Sequence, residues 1–268
     1  MLTKVADLPD RSVRYLEAGE GQPLVLIHGF PFNAEMWLPQ LYRPAPGWRF
    51  IAPDLRGFRG TGPAFEDVGL ESVTIDSYAA DVLTFMSHVD ADNAVVCGLS
   101  MGGYVALSLV QQAPHRVRGL VLANTRAAAD SAEGRAGRDR MLELVAREGA
   151  AGVATAMLPK LLGESTRRDQ PDLEDAVRGL IEPNSPHGVA AGIRAIRDRP
   201  DRVHSLPSIH CRTLIICGDE DAIIPRTESE AMKAAIPGAE LVVLHNIGHL
   251  SNLENPIAFN RALGQWLK

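Results

Sequence analysis

The segment Ala94-Val95-Val96-Cys97-Gly98-Leu99-Ser100-Met101-Gly102-Gly103-Tyr104 decides how the rest of this chain is read. Ala94 to Cys97 is an unbroken apolar run with the length and β-branched content of a buried strand. Apolar residues then continue from Tyr104 to Val110 in the manner of a helix, which must stop by Pro114. Between them lies G-x-S-x-G at a strand-to-helix turn, the setting of a nucleophile elbow. A serine at the tip of so sharp a turn sits in a strained backbone conformation, and the flanking glycines remove Cβ atoms that would collide. Its hydroxyl is pushed clear of the sheet, above a helix start whose unpaired N–H groups favour an oxyanion. In a chain with 24 glycines the bare pattern means little, and a Gly-rich turn can be mere punctuation. The flanks give it weight.

Outward from this segment, apolar strands alternate with helical stretches. Leu24 to Ile27, Arg49 to Pro53 and Gly119 to Ala123 read as buried strands, and Ser12 to Ala18 as a half-exposed antiparallel one near a sheet edge. Ala34 to Tyr42 and Thr74 to Val89 carry apolar residues at helical intervals. After about Thr125 the alternation stops. Up to Leu206 there are only Ala/Arg/Glu/Leu-rich helical stretches parted by prolines, with Ser185-Pro186 a good helix start. The sheet then resumes with strands at Thr213 to Cys217 and Glu240 to His245, a helix at Thr227 to Ile236, and a last helix opened by Asn255-Pro256. This pitch predicts an α/β fold with a mostly parallel, doubly wound sheet. Residues 1–124 and 207–268 form its core, and 125–206 a helical cap inserted over it. Crossovers bring the C-terminal ends of all parallel strands to one edge, where ligands bind.

Composition narrows the classes. Hydrophobic content of 46% and charged content of 22% suit an ordinary globule with ample core. A net charge of −6 without a Lys/Arg block argues against a nucleic-acid partner. No run of apolar residues is long enough for a membrane span, and the first residues do not form a signal peptide, so the cytoplasm is the expected location. Cys97, Cys211 and Cys217 lack C-x-x-C spacing and read as reduced thiols. Neither H-E-x-x-H nor paired cysteines suggest a metal, and no cofactor is expected.

A serine hydroxyl needs an imidazole to take its proton and a carboxylate behind that imidazole. Both must come from loops leaving the same sheet edge. The loop after Cys217 offers Asp219, Glu220 and Asp221; the loop after Leu244 offers His245 and, further out behind Gly248, His249. His249 is the expected base. The three adjacent acids are not separable from the residues alone. One oxyanion donor should be the N–H of Met101, next after the nucleophile. The other should come from the loop after Ile27, where Pro31 has no N–H to give and Phe30 is the candidate. Phe30, Met101 and Leu250 are expected to line the substrate pocket. Arg126 reads as a solvated charge at a helix start.

Taken together, His28-Gly29-Phe30-Pro31, the Asp54 to Thr61 loop, Gly98 to Gly103, Gly218 to Asp221 with Pro225, and Gly248-His249 with Glu254 and Pro256 resemble the α/β-hydrolase family over essentially the whole chain. The resemblance implies an α/β-hydrolase fold and a Ser100–His249–Asp221 triad, with Asp219 in reserve as the acid. One departure is visible: Arg59 and Thr61 stand where relatives commonly have Gly and Ser, which bears on the course of that loop. The elbow serine, in place of the aspartate of epoxide-opening and dehalogenating relatives, implies acyl chemistry on a small ester or lactone. Within the family the chain looks most like serine carboxylesterases, 3-oxoadipate enol-lactonase-like hydrolases and cofactor-free haloperoxidases. Ligand-binding members that have lost catalysis are the competing class, but they usually lack a triad member, and this chain has all three.

Overall fold

The computed structural model describes residues 1–59 and 70–268, so Gly60, Thr61 and Gly62 of the glycine-rich loop lie outside the described residues. Eight strands among these residues form one sheet: β1 (Leu2–Asp7), β2 (Ser12–Gly19), β3 (Gln22–Ile27), β4 (Trp48–Pro53), β5 (Ala94–Leu99), β6 (Val117–Ala123), β7 (Arg212–Gly218) and β8 (Glu240–Leu244). Their spatial order is β1-β2-β4-β3-β5-β6-β7-β8. β2 runs antiparallel to both β1 and β4; every other pairing is parallel. All six residues of β5 are buried, as are the last four of β3, because both faces of a parallel sheet are covered. β1 left no such trace in the sequence, since Ala6 alone among its residues is buried.

The chain steps from β3 outward to β4, then crosses back to lay β5 on the other side of β3. That reversal makes a crevice at the C-terminal ends of β3 and β5, the usual ligand position in an open α/β sheet. The loop after β3 carries Phe30, and β5 ends at Leu99, directly before Ser100. The single helix expected over Ala34 to Tyr42 is divided into a 3-10 turn (Ala34–Trp37) and α1 (Leu38–Leu41). Pro39 has no N–H with which to continue a helical bond ladder across the junction. α2 (Ile75–His88) starts at a reciprocal cap between Thr74 and Ser77. α3 (Met101–Gln112) begins directly after the serine.

Between β6 and β7 the described elements are helical: α4 (Ala132–Leu161), α5 (Glu164–Asp169), α6 (Asp172–Ile181) and α7 (Pro186–Arg197). α4 is two helices joined at Gly149, whose φ of 65° breaks the regular path. α7 starts at Ser185 and Pro186, and Ser185 accepts a bond from the Gly188 N–H at 2.9 Å. It lies against the loops after β3 and β4. A Cβ added at Gly192 would stand 2.9 Å from the rings of both Phe30 and Phe58. The chain closes with α8 (Arg226–Ala235), α9 (Ser251–Glu254) and α10 (Pro256–Trp266).

Two glycines set the closeness of strand and helix at the elbow. A Cβ on Gly98 would sit 2.1 Å from the Gly102 carbonyl oxygen, and one on Gly102 would sit 2.1 Å from the Ile27 carbonyl oxygen. Both obstacles are backbone, so neither can swing aside. Gly98→Ala is therefore expected to lower the unfolding free energy by about 3 kcal/mol, read from urea denaturation; a loss below about 0.5 kcal/mol would show that the turn has room to spare.

Candidate active site

Ser100 occupies φ 54°, ψ −115°, a conformation that a residue with a side chain rarely adopts. Its neighbours hold it there. The Ser100 N–H donates to the Ala123 carbonyl at 2.9 Å, and the Ser100 carbonyl accepts from Thr125 Oγ1 at 2.8 Å and the Gly103 N–H at 2.9 Å. The elbow is thus riveted to the end of β6.

The acid loop leaves β7, two strands from β5, and the histidine loop leaves β8, three strands from β5, on the same edge. His249 Nδ1 lies 2.8 Å from Asp221 Oδ2, with both side chains essentially excluded from solvent. Asp221 Oδ1 accepts from the N–H groups of Ile223 and Ile224, each at 2.9 Å, and Oδ2 also accepts from Asn124 Nδ2 at 2.9 Å. Burial on its own would raise the Asp221 carboxyl; His249 and these donors outweigh it and hold it below the ordinary carboxylate range. A carboxylate on Nδ1 leaves Nε2 as the nitrogen free to accept a proton.

The three neighbouring acids have different partners. Asp219 Oδ2 faces His245 Nδ1 at 2.8 Å in an exposed pair, His245 being 76% exposed. Glu220 accepts from the N–H and the hydroxyl of Ser165, at 2.8 and 2.6 Å, and so ties α5 to the acid loop. Only Asp221 reaches His249.

Ser100 and His249 share no hydrogen bond among the described residues; what spans them is Ala123-Asn124-Thr125. Asn124 had no distinguishing signal in the sequence beyond standing at the end of an apolar run. Its φ of 45° suits asparagine, which tolerates the left-handed region better than most residues. Its Nδ2 donates to Asp221 and to the Gly248 carbonyl (3.2 Å), and its Oδ1 accepts from the Ser251 hydroxyl at 2.5 Å.

Phe30 and Met101 are both buried, and the N–H of neither donates to a protein acceptor among the described residues. The Phe30–Pro31 peptide is cis. Asn184, just before α7, donates to the Pro31 carbonyl at 2.8 Å and accepts from the Arg59 N–H at 3.0 Å, fastening the inserted helices to this loop. Leu250 is fully buried beside His249. Arg126 is not the solvated charge its Ala-rich surroundings suggested. It is half-buried and pairs with Asp130 at 2.5 Å; Arg138 and Arg199 reach the same carboxylate. Burial opposes the charge of Asp130, but these guanidinium groups still hold its carboxyl below the ordinary range.

Residues 22–256 match the model of the alpha/beta hydrolase fold, and the chain belongs to that family. It is similar to a thermophilic esterase from Thermogutta terrifontis, at 36% identity and TM-score 0.91 over 100% of this chain and 98% of that one. It is also similar to the enol-lactonase from Burkholderia xenovorans, at 26% identity and TM-score 0.87 over 98% and 99% of the two chains. A pimeloyl-[acyl-carrier protein] methyl ester esterase of Aromatoleum aromaticum is 30% identical over 87% of this chain and 93% of its own. No helix among the described residues is long and apolar enough to cross a membrane.

His28 gives this region a pH dependence of its own. Its Nδ1 faces the Gly29 carbonyl at 2.9 Å and its Nε2 accepts from the Leu55 N–H at 3.0 Å, so the neutral ring is the one that fits. Burial pushes it down to about 4. Between that value and the unfolded value near 6.5, the unfolded chain holds a proton that the native one does not. Stability contributed by neutral His28 is therefore complete above about pH 6.5 and drains away as pH falls toward 4. We expect about 2–3 kcal/mol of unfolding free energy to be lost from this group between pH 7 and 4.5. Denaturant titrations across that range should show a shallower slope in His28→Asn; equal slopes would mean the ring titrates normally.

Proposed function

We propose that the chain hydrolyses carboxylic esters of small acyl substrates, with Ser100 as nucleophile, His249 as general base and Asp221 as its carboxylate. The observation that carries this reading is the buried His249–Asp221 pair on the same sheet edge as a serine forced to φ 54°. Esterases at 36% and 30% identity support the choice of ester over other acyl compounds. Catalytic hydrogen bonds are often long without substrate and tighten when it binds, so the serine–histidine bond belongs to the loaded enzyme.

In this reading His249 Nε2 takes the hydroxyl proton as Ser100 Oγ attacks the carbonyl carbon. The developing oxyanion is met by the N–H groups of Phe30 and Met101, each worth about 10²–10³ in rate. Collapse breaks the bond to the leaving alcohol, which receives the proton from His249. Water then repeats the sequence on the acyl-enzyme and releases the acid. Asp221 keeps its charge throughout and stabilises the imidazolium. Lactones are internal esters and need no different machinery; the enol-lactonase likeness favours them as the second substrate class.

A fluorophosphonate probe should add to Ser100, as read by intact mass and peptide mapping, and p-nitrophenyl acetate and butyrate should turn over alongside a lactone series. Ser100→Ala should abolish labelling and lower kcat/KM by about 10⁴–10⁶, and Asp221→Asn by about 10⁴. No adduct on the folded wild-type chain would overturn the assignment.

A further inference from the structure

We propose that Glu254 is the positioning residue of His249, and that it sets the imidazole against both the sheet and the inserted helices through one buried carboxylate. This inference rests on the serine-hydrolase reading above. Glu254 is the last residue of α9 and is 2% exposed. Oε1 accepts from the Leu250 N–H at 2.9 Å, and Oε2 accepts from the Gly248 N–H at 2.9 Å, the Gly163 N–H at 2.8 Å and the Thr166 hydroxyl at 2.6 Å. Both oxygens are therefore committed, and to donors from two separate parts of the chain.

Two of those donors are the amides on either side of His249. The N–H of residue 250 lies in the peptide plane that follows the histidine Cα, and the N–H of residue 248 in the plane one residue further back, so the backbone is held on both sides of His249. Asn124 adds a third hold through the Gly248 carbonyl. The other two donors belong to the insertion, at Gly163 and the first turn of α5. There the two backbones lie so close that a Cβ on Gly248 would come 2.1 Å from the Gly163 nitrogen, and one on Gly163 would come 2.8 Å from the Gly248 nitrogen. Cap and histidine loop share one anchor, and water is excluded from it, so nothing else can replace the bonds that a change at 254 would remove.

Glu254 touches no reacting atom. Its effect must pass through the placement of His249, and a ring displaced by about 1 Å costs on the order of 10²-fold in rate. The signature is a loss in kcat with binding retained. In Glu254→Gln the amide brings one oxygen and two N–H groups to a site built of donors, so at least one N–H must face another. We expect kcat on p-nitrophenyl acetate to fall about 10- to 100-fold with KM changed less than about threefold. Ser100 phosphonylation by the fluorophosphonate should slow by the same factor. Thr166→Val removes one donor from the cap side and leaves the amides of 248 and 250 in place; it should lower kcat and labelling together by a smaller factor. Labelling of Glu254→Gln at the wild-type rate, or a loss confined to KM, overturns the positioning role while leaving the serine-hydrolase reading intact. A wild-type chain that takes no adduct removes that reading itself. Should Glu254→Gln lack a cooperative unfolding transition, Thr166→Val decides, and unchanged kcat and labelling there overturn the proposal.

Discussion

Ser100 stays in a conformation that an L-residue leaves unless it is held, and the rest of the molecule is arranged to hold it. A backbone in that region costs of order 1–3 kcal/mol. The cost is met by three hydrogen bonds that tie the serine's own peptide groups to Ala123, Thr125 and Gly103, and by glycines that let β5, α3 and β3 approach within backbone contact. The same short segment after β6 then reaches the other way. Asn124 lies between the two residues that hold the serine, and its side chain grips the acid loop and the histidine loop. Restraint of the strained turn and alignment of the two partner loops are thus the task of consecutive residues, which is why three distant pieces of chain converge at one rim of the sheet.

The inserted helices take part in this restraint. Asn184 fastens them to the Phe30 loop on one side of the serine, while Glu220 and Glu254 fasten them to the acid and histidine loops on the other. All three ties use buried or half-buried polar side chains whose partners are backbone groups or hydroxyls, so each tie is specific in direction as well as strong. An insertion attached in this way contributes to the order of the loops after β3, β7 and β8.

Much of the framework was legible in the amino-acid order because its strands are buried on both faces and announce themselves as apolar runs. β3, β5, β6 and β7 are of this kind, and the turns after β5 and β7 located Ser100 and the acid loop. What was not legible depends on contacts between residues far apart in the chain. Asp219, Glu220 and Asp221 are alike as letters; they differ only in whether they meet His245, Ser165 or His249. Arg126 reads as a surface charge until Arg199 and Arg138 are brought to the same Asp130. β1 is a strand because β2 offers it an edge to pair with, not because of any pattern of its own.

Two aspartate–histidine pairs stand side by side here, and by bond length they are indistinguishable: 2.8 Å for Asp219–His245 and 2.8 Å for Asp221–His249. One is bathed in water, where ionic attraction is damped to little value; the other is sealed away, where the same attraction is amplified several-fold. The outer pair is in effect the molecule's own reference compound, with identical functional groups and spacing in a different dielectric. Exclusion of solvent around the inner pair is what separates them.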